Sequence, residues 1–338
     1  MNRRKKITGV LVAALLVFMA GSAIYLSLPP RAQQVDNARL FKVKSGMGAR
    51  EISVRLEGAG LIRSASVFHV YLKITGADKK IKAGNYRFPK GAGMEKIAAM
   101  LANGETAKAK VVIPEGYSAG AIGRELEEKE ICSAADFAAA VHDRAFARQL
   151  GIGADSLEGF LFPDTYLFDL ESDPRDIAAD MVETFKNEAS LIVPGGAIVG
   201  SEDFYDKLIL ASIVEREYRV PEEAKLIASV FNNRLKIGMA LQSCATVVYV
   251  ITEKRGRPHP DVVTYDDLAL KDPYNTYLQR GLPPGPICNP GKIALDAVFN
   301  PVKSEYLYFR LLSAETGKHK FSKTFDEHVQ SAIPVKGY

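Results

Sequence analysis

The segment Leu210-Ala211-Ser212-Ile213-Val214-Glu215-Arg216-Glu217 sets two carboxylates at the end of an otherwise apolar run. A buried helix excludes Glu unless its charge is paired or used. A carboxylic acid against an apolar wall tends to keep its proton near neutral pH, and a general acid needs that property. The other reading is a pair of ion-paired structural carboxylates. The pattern predicts a helix from about Ser201 to Tyr218. At about 100° per residue, Leu210, Ile213, Val214 and Glu217 share one face, and Phe204, Leu208, Ala211 and Glu215 another. Only Ser212, Arg216 and a few N-terminal positions read as polar, so this helix should be mostly buried. Glu215 and Glu217 then point about 200° apart and cannot share one bond. Spacing alone does not say which of them faces a cleft.

The elements that would position this segment are legible on both sides of it. Val220-Pro221-Glu222 starts the next helix, Leu226, Ile227, Val230, Phe231 and Leu235 form its apolar stripe, and Gly238 ends it. The short turn at Arg219-Val220 brings the end of the first helix to a helix–helix corner. Upstream, Leu157 to Tyr166 reads as an ordered loop and strand. A helix from about Pro174 to Glu188 follows, capped by Asp173, with Ile177, Met181 and Phe185 on one face. Downstream, Asp272 to Tyr277, Gly281 to Ile287 and Asn289-Pro290-Gly291 form a Pro- and Gly-stiffened loop. Its Tyr and Asn side chains can stack on and hydrogen-bond to sugar rings; an ordinary proline-rich surface loop is the competing reading. The chain closes with a strand over Glu305–Arg310, a hairpin partner around His319–Phe321 and a short helix near Phe325 to Val329. His319 and His328 read as structural.

The N-terminal half contains a repeat. Phe41 to Gly46 is a short strand and turn, followed by Ile52, Leu56-Glu57, Ser64-Ala65 and Phe68. Val111 to Gly116 opens a second copy, in which Ile122, Leu126-Glu127, Ser133-Ala134 and Phe137 fall at matching places. Each copy reads strand, helix, loop, helix, with Ser64 or Ser133 capping the second helix. Lys82 to Phe88 adds a closing strand to the first copy. Strand-helix-helix-strand is the layout of a LysM module, a small fold that binds cell-wall glycans; a structural spacer fits the same layout.

Arg3, Arg4, Lys5 and Lys6 precede Ile7 to Leu28, which carries no charge. About 20 apolar residues span a bilayer, and the basic flank stays in the cytoplasm. Gly21-Ser22-Ala23 could be a signal-peptide cleavage site, but the apolar run continues past it, which favours an anchor. The net charge is +4 over 338 residues, and the anchor cluster accounts for it. The exported part is therefore near neutral, which argues against nucleic acid as a partner. With 14 Tyr, 16 Phe and no Trp, it suits an uncharged or zwitterionic polymer. The three cysteines, Cys132, Cys244 and Cys288, and the five scattered histidines lack metal-site spacing, so no metal or other cofactor is expected. A Cys244–Cys288 disulfide and three free thiols are both compatible with the sequence.

Taken together, several ordered segments resemble the YceG-like family of endolytic murein transglycosylases. They are Glu158–Tyr166, Ala211–Glu217, Ser229–Leu235, Gly238–Gln242, Pro273–Tyr277, Gly281–Ile287, Asn289–Gly291, Tyr306–Phe309 and His319–Phe321. The resemblance covers nearly all of the exported chain. It implies an α+β fold: an N-terminal transmembrane helix, LysM-like βααβ modules and a mixed α+β catalytic domain. The expected boundaries are a cytoplasmic tail at 1–6, a span at 7–28, a LysM-like module at 38–105, a related strand-helix-helix unit at 108–150 and the catalytic domain at 151–338.

The resemblance also implies that Glu217, the second Glu of its segment, is the catalytic acid, with Glu215 structural or supporting. The expected activity is cleavage of the MurNAc–GlcNAc β-1,4 bond of peptidoglycan strands to leave 1,6-anhydro ends. The enzyme would sit in the cytoplasmic membrane with its catalytic domain on the extracytoplasmic side, in the company of peptidoglycan synthases. Gln242, Tyr274 and Asn275 are the expected sugar contacts, with Glu158 and Asp164 as further substrate-binding candidates. Two other readings stay open: a muramidase-type hydrolase, with Asp164 as its second carboxylate, and a non-enzymatic wall-binding scaffold. The chain departs from the family at one point. Cys244-Ala245 stands where an Asp-Pro pair is usual.

Overall fold

The structure is a computed structural model that describes residues 21, 25, 28–29, 40–193, 201–313 and 315–331. The expected cytoplasmic tail and membrane span, residues 1–28, therefore lie outside the described residues apart from Gly21, Tyr25 and Leu28. The architecture is mixed α+β, and the chain forms two compact units.

The first unit runs to Ala109 and includes Asp169–Glu171. It contains β1 (Phe41–Val43), α1 (Ala49–Gly58), α2 (Ala65–Thr75), β2 (Gly84–Tyr86) and α3 (Met94–Asn103). β1 and β2 pair antiparallel, with Phe41 opposite Tyr86. The expected strand-helix-helix-strand order is present. Its core is built from the apolar positions of the helical pattern: Ile52, Leu56, Phe68, Leu72, Ile97 and Leu101 are all fully buried. Removing a side chain of this size from water contributes about 1.5–3 kcal/mol. Ser64 caps α2 through the Val67 N–H, and Gly76 ends the helix in the left-handed conformation.

The second unit comprises Lys110–Phe168 and the chain from Ser172 onward. Of the strand-helix-helix unit read from the sequence at 108–150, residues 110–150 fall in this second unit with 151–168 and the chain from Ser172. Its elements begin with β3 (Lys108–Val112), α4 (Ala119–Glu128), α5 (Ala134–Val141), α6 (Arg144–Gln149), β4 (Thr165–Asp169) and α7 (Pro174–Ile192). They continue with α8 (Glu202–Glu215), α9 (Ala224–Lys236), α10 (Cys244–Tyr249), α11 (Tyr265–Leu268) and α12 (Lys292–Phe299). The last are β5 (Tyr308–Leu311), β6 (His319–Ser322) and α13 (Phe325–Gln330). β3 pairs with β4, and β5 with β6 in an antiparallel hairpin with Tyr308 opposite Ser322.

The repeat is visible in both units: Ile122, Leu126 and Phe137 are as fully buried as Ile52, Leu56 and Phe68, and Ser133 caps α5. Gly46 and Gly116 both adopt positive φ, at 83° and 78°. α7 extends to Ile192, past the expected Glu188, and buries Ile177, Met181 and Phe185 as its spacing required.

The second unit is organised around α8, which packs on α9 and α12. Phe204 and every residue from Leu208 to Val214 are buried. That includes Ser212, which the helical pattern left on a polar face. Its hydroxyl donates to the Ile209 carbonyl at 2.7 Å and accepts the Ile287 N–H at 3.0 Å, so an interior serine anchors the Pro-rich loop to the helix. The helix is shorter than expected. It ends at Glu215, Arg216 caps it, and Glu217 lies in the following turn with its N–H on the Val214 carbonyl at 3.0 Å. The 200° separation expected on a continuous helix therefore does not apply. What parts the two carboxylates is the chain leaving the helix between them.

Candidate active site

Glu217 occupies the corner between α8 and α9, immediately before the 3₁₀ turn Pro221–Glu223 that leads into α9. The residue keeps some surface, but its carboxyl is enclosed. Enclosure is the largest influence on it and raises its pKa above the usual carboxylate range. The Ser243 hydroxyl, the positive side of His319, the Ala245 N–H and the Arg234 guanidinium all act the other way. A group balanced in this manner holds a proton more readily than an exposed Glu, yet has donors ready for the anion once the proton leaves.

Each donor is itself held. Ser243, 2% exposed, precedes α10, and its hydroxyl donates to Glu217 Oε1. Its backbone N–H donates to Thr276 Oγ1 at 3.1 Å, and its carbonyl accepts Thr246 Oγ1 at 2.7 Å. The two threonine hydroxyls meet at 2.9 Å, so a small buried network fixes the Ser243 backbone. Arg234 comes from the buried side of α9. Its Nε donates to the Leu307 carbonyl at 2.7 Å and its Nη1 to the Leu241 carbonyl at 2.6 Å, which ties α9 to both neighbouring segments. His319, on β6, meets Glu223 through its Nδ1 at 2.8 Å and its backbone N–H at 3.0 Å. Its reading as structural from the sequence holds for these bonds, but its imidazole also bears on Glu217. Ser243, Arg234 and His319 were not anticipated as neighbours of the acid, because they come from three separate elements.

Glu215 has a different setting. Its Oε2 accepts the Gly291 N–H at 2.9 Å, and its Oε1 accepts the Tyr218 hydroxyl at 3.2 Å. Burial lifts its pKa to about 7, the Gly291 N–H pulling it back and Glu115 pushing it further up. It fastens the Asn289-Pro290-Gly291 turn to the end of α8.

Asn289, fully buried, is the centre of a second junction. Its Oδ1 accepts the N–H groups of Gly159 and Leu161 at 2.8 and 2.9 Å, and its Nδ2 donates to the Tyr117 carbonyl at 2.9 Å and Glu158 Oε1 at 3.0 Å.

The expected sugar contacts are not gathered around Glu217. Gln242 is exposed beside Ser243 with φ of 49°, its N–H on the Thr276 carbonyl at 3.1 Å. Asn275 is fully buried. Its amide donates to the Leu268 and Leu270 carbonyls at 2.9 and 2.8 Å and its Oδ1 accepts the Tyr277 N–H at 3.0 Å, which commits it to shaping the loop. Tyr274 packs against Tyr249 with ring centroids 5.0 Å apart, under the Lys254 ammonium, and lines a cleft of about 570 Å³ to which Glu217 does not contribute. Glu158 is buried and accepts the Ala119 N–H with both oxygens, at 3.0 and 3.1 Å; burial raises its pKa to about 8. Asp164 is exposed at the head of β4, where its Oδ1 accepts the Thr165 N–H at 2.6 Å and its carbonyl the Ile113 N–H at 2.9 Å.

At the family's usual Asp-Pro position, Cys244 is exposed and free, with its Sγ 3.0 Å from the Tyr277 hydroxyl. Cys132 and Cys288 are free too, so the disulfide alternative is not realised. Ala245 contributes an N–H that a proline there would lack.

A second cleft, of about 640 Å³, does not include Glu217 in its lining either, but Arg216, the chain neighbour of Glu217, and Ala245, whose N–H acts on Glu217, stand in its wall. Fold and site together define a class: a mixed α+β protein that holds an enclosed carboxylic acid, its pKa raised by burial, at a helix corner near a cleft.

Within that class the chain belongs to the YceG-like family, whose profile matches residues 41–333. It is 33% identical to an endolytic murein transglycosylase of Bacillus subtilis, over 85% of this chain and 82% of that protein. It is 30% identical to an endolytic murein transglycosylase of Streptococcus pneumoniae, over 85% of this chain but only 56% of that longer protein. The crystal structure of a YceG-like protein from Listeria monocytogenes superposes with a TM-score of 0.56 at 32% identity, covering 86% of this chain and 98% of that one.

Proposed function

We propose that this protein is an endolytic lytic transglycosylase that cuts peptidoglycan glycan strands at the MurNAc–GlcNAc β-1,4 bond, with Glu217 as acid and then base. The observation that carries this reading is the enclosed Glu217 carboxyl, its pKa raised by burial, with donors from Ser243 and Ala245 already aimed at it. Membership of the YceG-like family supports it.

The chemistry needs one carboxyl. Protonated Glu217 gives its proton to the glycosidic oxygen as the bond from that oxygen to muramoyl C1 breaks. The Glu217 carboxylate, stabilised by Ser243 and Ala245, then takes the proton of the muramoyl C6 hydroxyl, and O6 bonds to C1. The product is a 1,6-anhydro end, Glu217 is protonated again, and no water is consumed. The nucleophile belongs to the substrate, so its effective concentration is high. A hydrolase would call on a second carboxylate near the scissile bond. Asp164 fits that part poorly, since its contacts are with Thr165 and Ile113 rather than with Glu217.

In this reading the N-terminal apolar segment anchors the protein in the cytoplasmic membrane with the enzyme on the extracytoplasmic side, close to peptidoglycan synthases. The βααβ part of the first unit acts as a LysM-like glycan holder. Gln242, exposed next to Ser243, is the sugar contact best placed for the reaction.

Mass spectrometry of digested strands is the test. Anhydro ends are expected; reducing ends would make the protein a muramidase, and binding without cleavage would make it a scaffold. Glu217→Gln should lower turnover by roughly 10²–10⁴-fold while leaving the thermal transition in place. Full activity in that variant would remove Glu217 from the mechanism.

A further inference from the structure

The cleft lined by Arg216 and Ala245 carries more positive charge than the one lactyl carboxylate of a naked muramoyl residue would pair. Its lining carries the guanidinium groups of Arg124, Arg216 and Arg257 and the imidazole of His259, against the single carboxylate of Glu253. Arg124 lies 3.5 Å from Glu253. Arg257 reaches Asp267 at 3.4 Å, a carboxylate already committed to capping α11. Arg216 donates to the Gly116 carbonyl at 3.1 Å. Each guanidinium has five N–H donors, so most of this donor capacity is left over. The chain beyond its basic N-terminus is near neutral, so the excess is a property of this cleft and not of the whole surface.

Position gives the charge a meaning. Arg216 precedes Glu217 in the chain, and Ala245, whose N–H bears on the Glu217 carboxyl, stands in the same wall. A ligand in the cleft therefore lies against two residues adjacent to the Glu217 carboxyl. The sugars of a strand without peptide offer hydroxyl and acetamido groups, which neutral donors and acceptors satisfy, and one lactyl carboxylate per muramoyl residue. Guanidinium forks match carboxylates. Where a peptide stem hangs from the muramoyl residue, the lactyl group is tied up as an amide and the free carboxylates, more than one, are on the stem. A volume of about 640 Å³ can take several residues of such a stem.

We propose that this cleft receives the peptide stem of the muramoyl residue at the cleavage site, and that Arg124, Arg216 and Arg257 recognise its carboxylates. The enzyme then selects peptide-bearing strands over naked ones. This rests on the transglycosylase reading for the identity of the polymer, but its test does not depend on turnover.

The test is calorimetric titration of the full chain with the GlcNAc-MurNAc disaccharide carrying a tetrapeptide, and with the same disaccharide lacking it. The peptide-bearing ligand should bind at least about tenfold tighter, with an affinity that falls as salt is raised. Arg257→Gln and Arg124→Gln, made separately so that one misfolded variant does not decide the matter, should each reduce that ratio several-fold, and Arg257→Lys should restore part of it. Equal affinity for the two ligands, or a ratio unchanged in both Gln variants, overturns the proposal. If the preference appears but strands are cut to reducing ends or not at all, the transglycosylase reading fails and the cleft assignment stands.

Discussion

Ser243→Ala isolates the group that most directly tunes the acid. The hydroxyl donates to Glu217 Oε1, while the bonds from Thr276 and Thr246 go to the Ser243 backbone and survive the change. The substitution is nearly isosteric at a site 2% exposed, so it removes one hydrogen bond and little else. A hydrogen bond to a charged group contributes about 1.5–3 kcal/mol, and one pKa unit corresponds to about 1.4 kcal/mol. The donor favours the carboxylate, so its loss should raise the Glu217 pKa further. Ala245, His319 and Arg234 still act on the ionised form and limit the rise. In the proposed mechanism cleavage requires Glu217 protonated in the free enzyme, so kcat/KM should fall with pH on an alkaline limb set by this pKa. In Ser243→Ala that limb should move to higher pH, and the plateau should drop because a weaker acid donates more slowly. Ser243→Thr, which keeps a hydroxyl, should stay near the wild-type profile. The assay is kcat/KM on soluble glycan strands across pH. An alkaline limb that stays put or moves to lower pH in Ser243→Ala would refute the argument, since Glu217 would then not be the titrating acid.

Ala245→Pro, which places the family's usual residue at this position, deletes the N–H that acts on Glu217 and should move the same limb upward with little loss of stability, as Pro is tolerated in a first helical turn. Asn289→Ala leaves the Gly159 and Leu161 N–H groups, the Tyr117 carbonyl and Glu158 short of a partner in the interior. At about 1–3 kcal/mol for an unsatisfied buried group, urea unfolding should report a loss of about 3 kcal/mol or more. Glu158 and Glu215 have folded pKa values raised to about 8 and about 7. Both then bind protons more tightly folded than unfolded, and their stabilisation is complete below the ordinary Glu range and lost as pH rises through those values. The midpoint of thermal unfolding should therefore decline from pH 5 to pH 8, and a flat or rising midpoint would contradict it.

Much of the frame was legible because local rules govern it. The apolar periods of α7 and α9, the caps at Ser64, Ser133 and Asp173, and the terminal hairpin all depend on neighbours a few residues away. Asn275 and Tyr274 mark where that legibility stops. Their types suit sugar binding, yet Asn275 is fully buried against its own loop and Tyr274 stands over a different cleft from Glu217. A residue type in a rigid loop does not say which way the loop turns. Ser212 makes the same point from inside a helix, where a partner at Ile287 converts an apparently polar position into an interior one.

The sequence by itself determined that two carboxylates end a buried helix, and motif resemblance singled out Glu217 among them. Tertiary structure alone decided how they differ. α8 stops at Glu215, which is pinned to Gly291, and Glu217 in the following turn meets Ser243, Arg234 and His319 from three elements distant in the chain. Carboxyl acidity is set by enclosure and by which donors and charges surround the group. Those are properties of packing, and no local spacing encodes them.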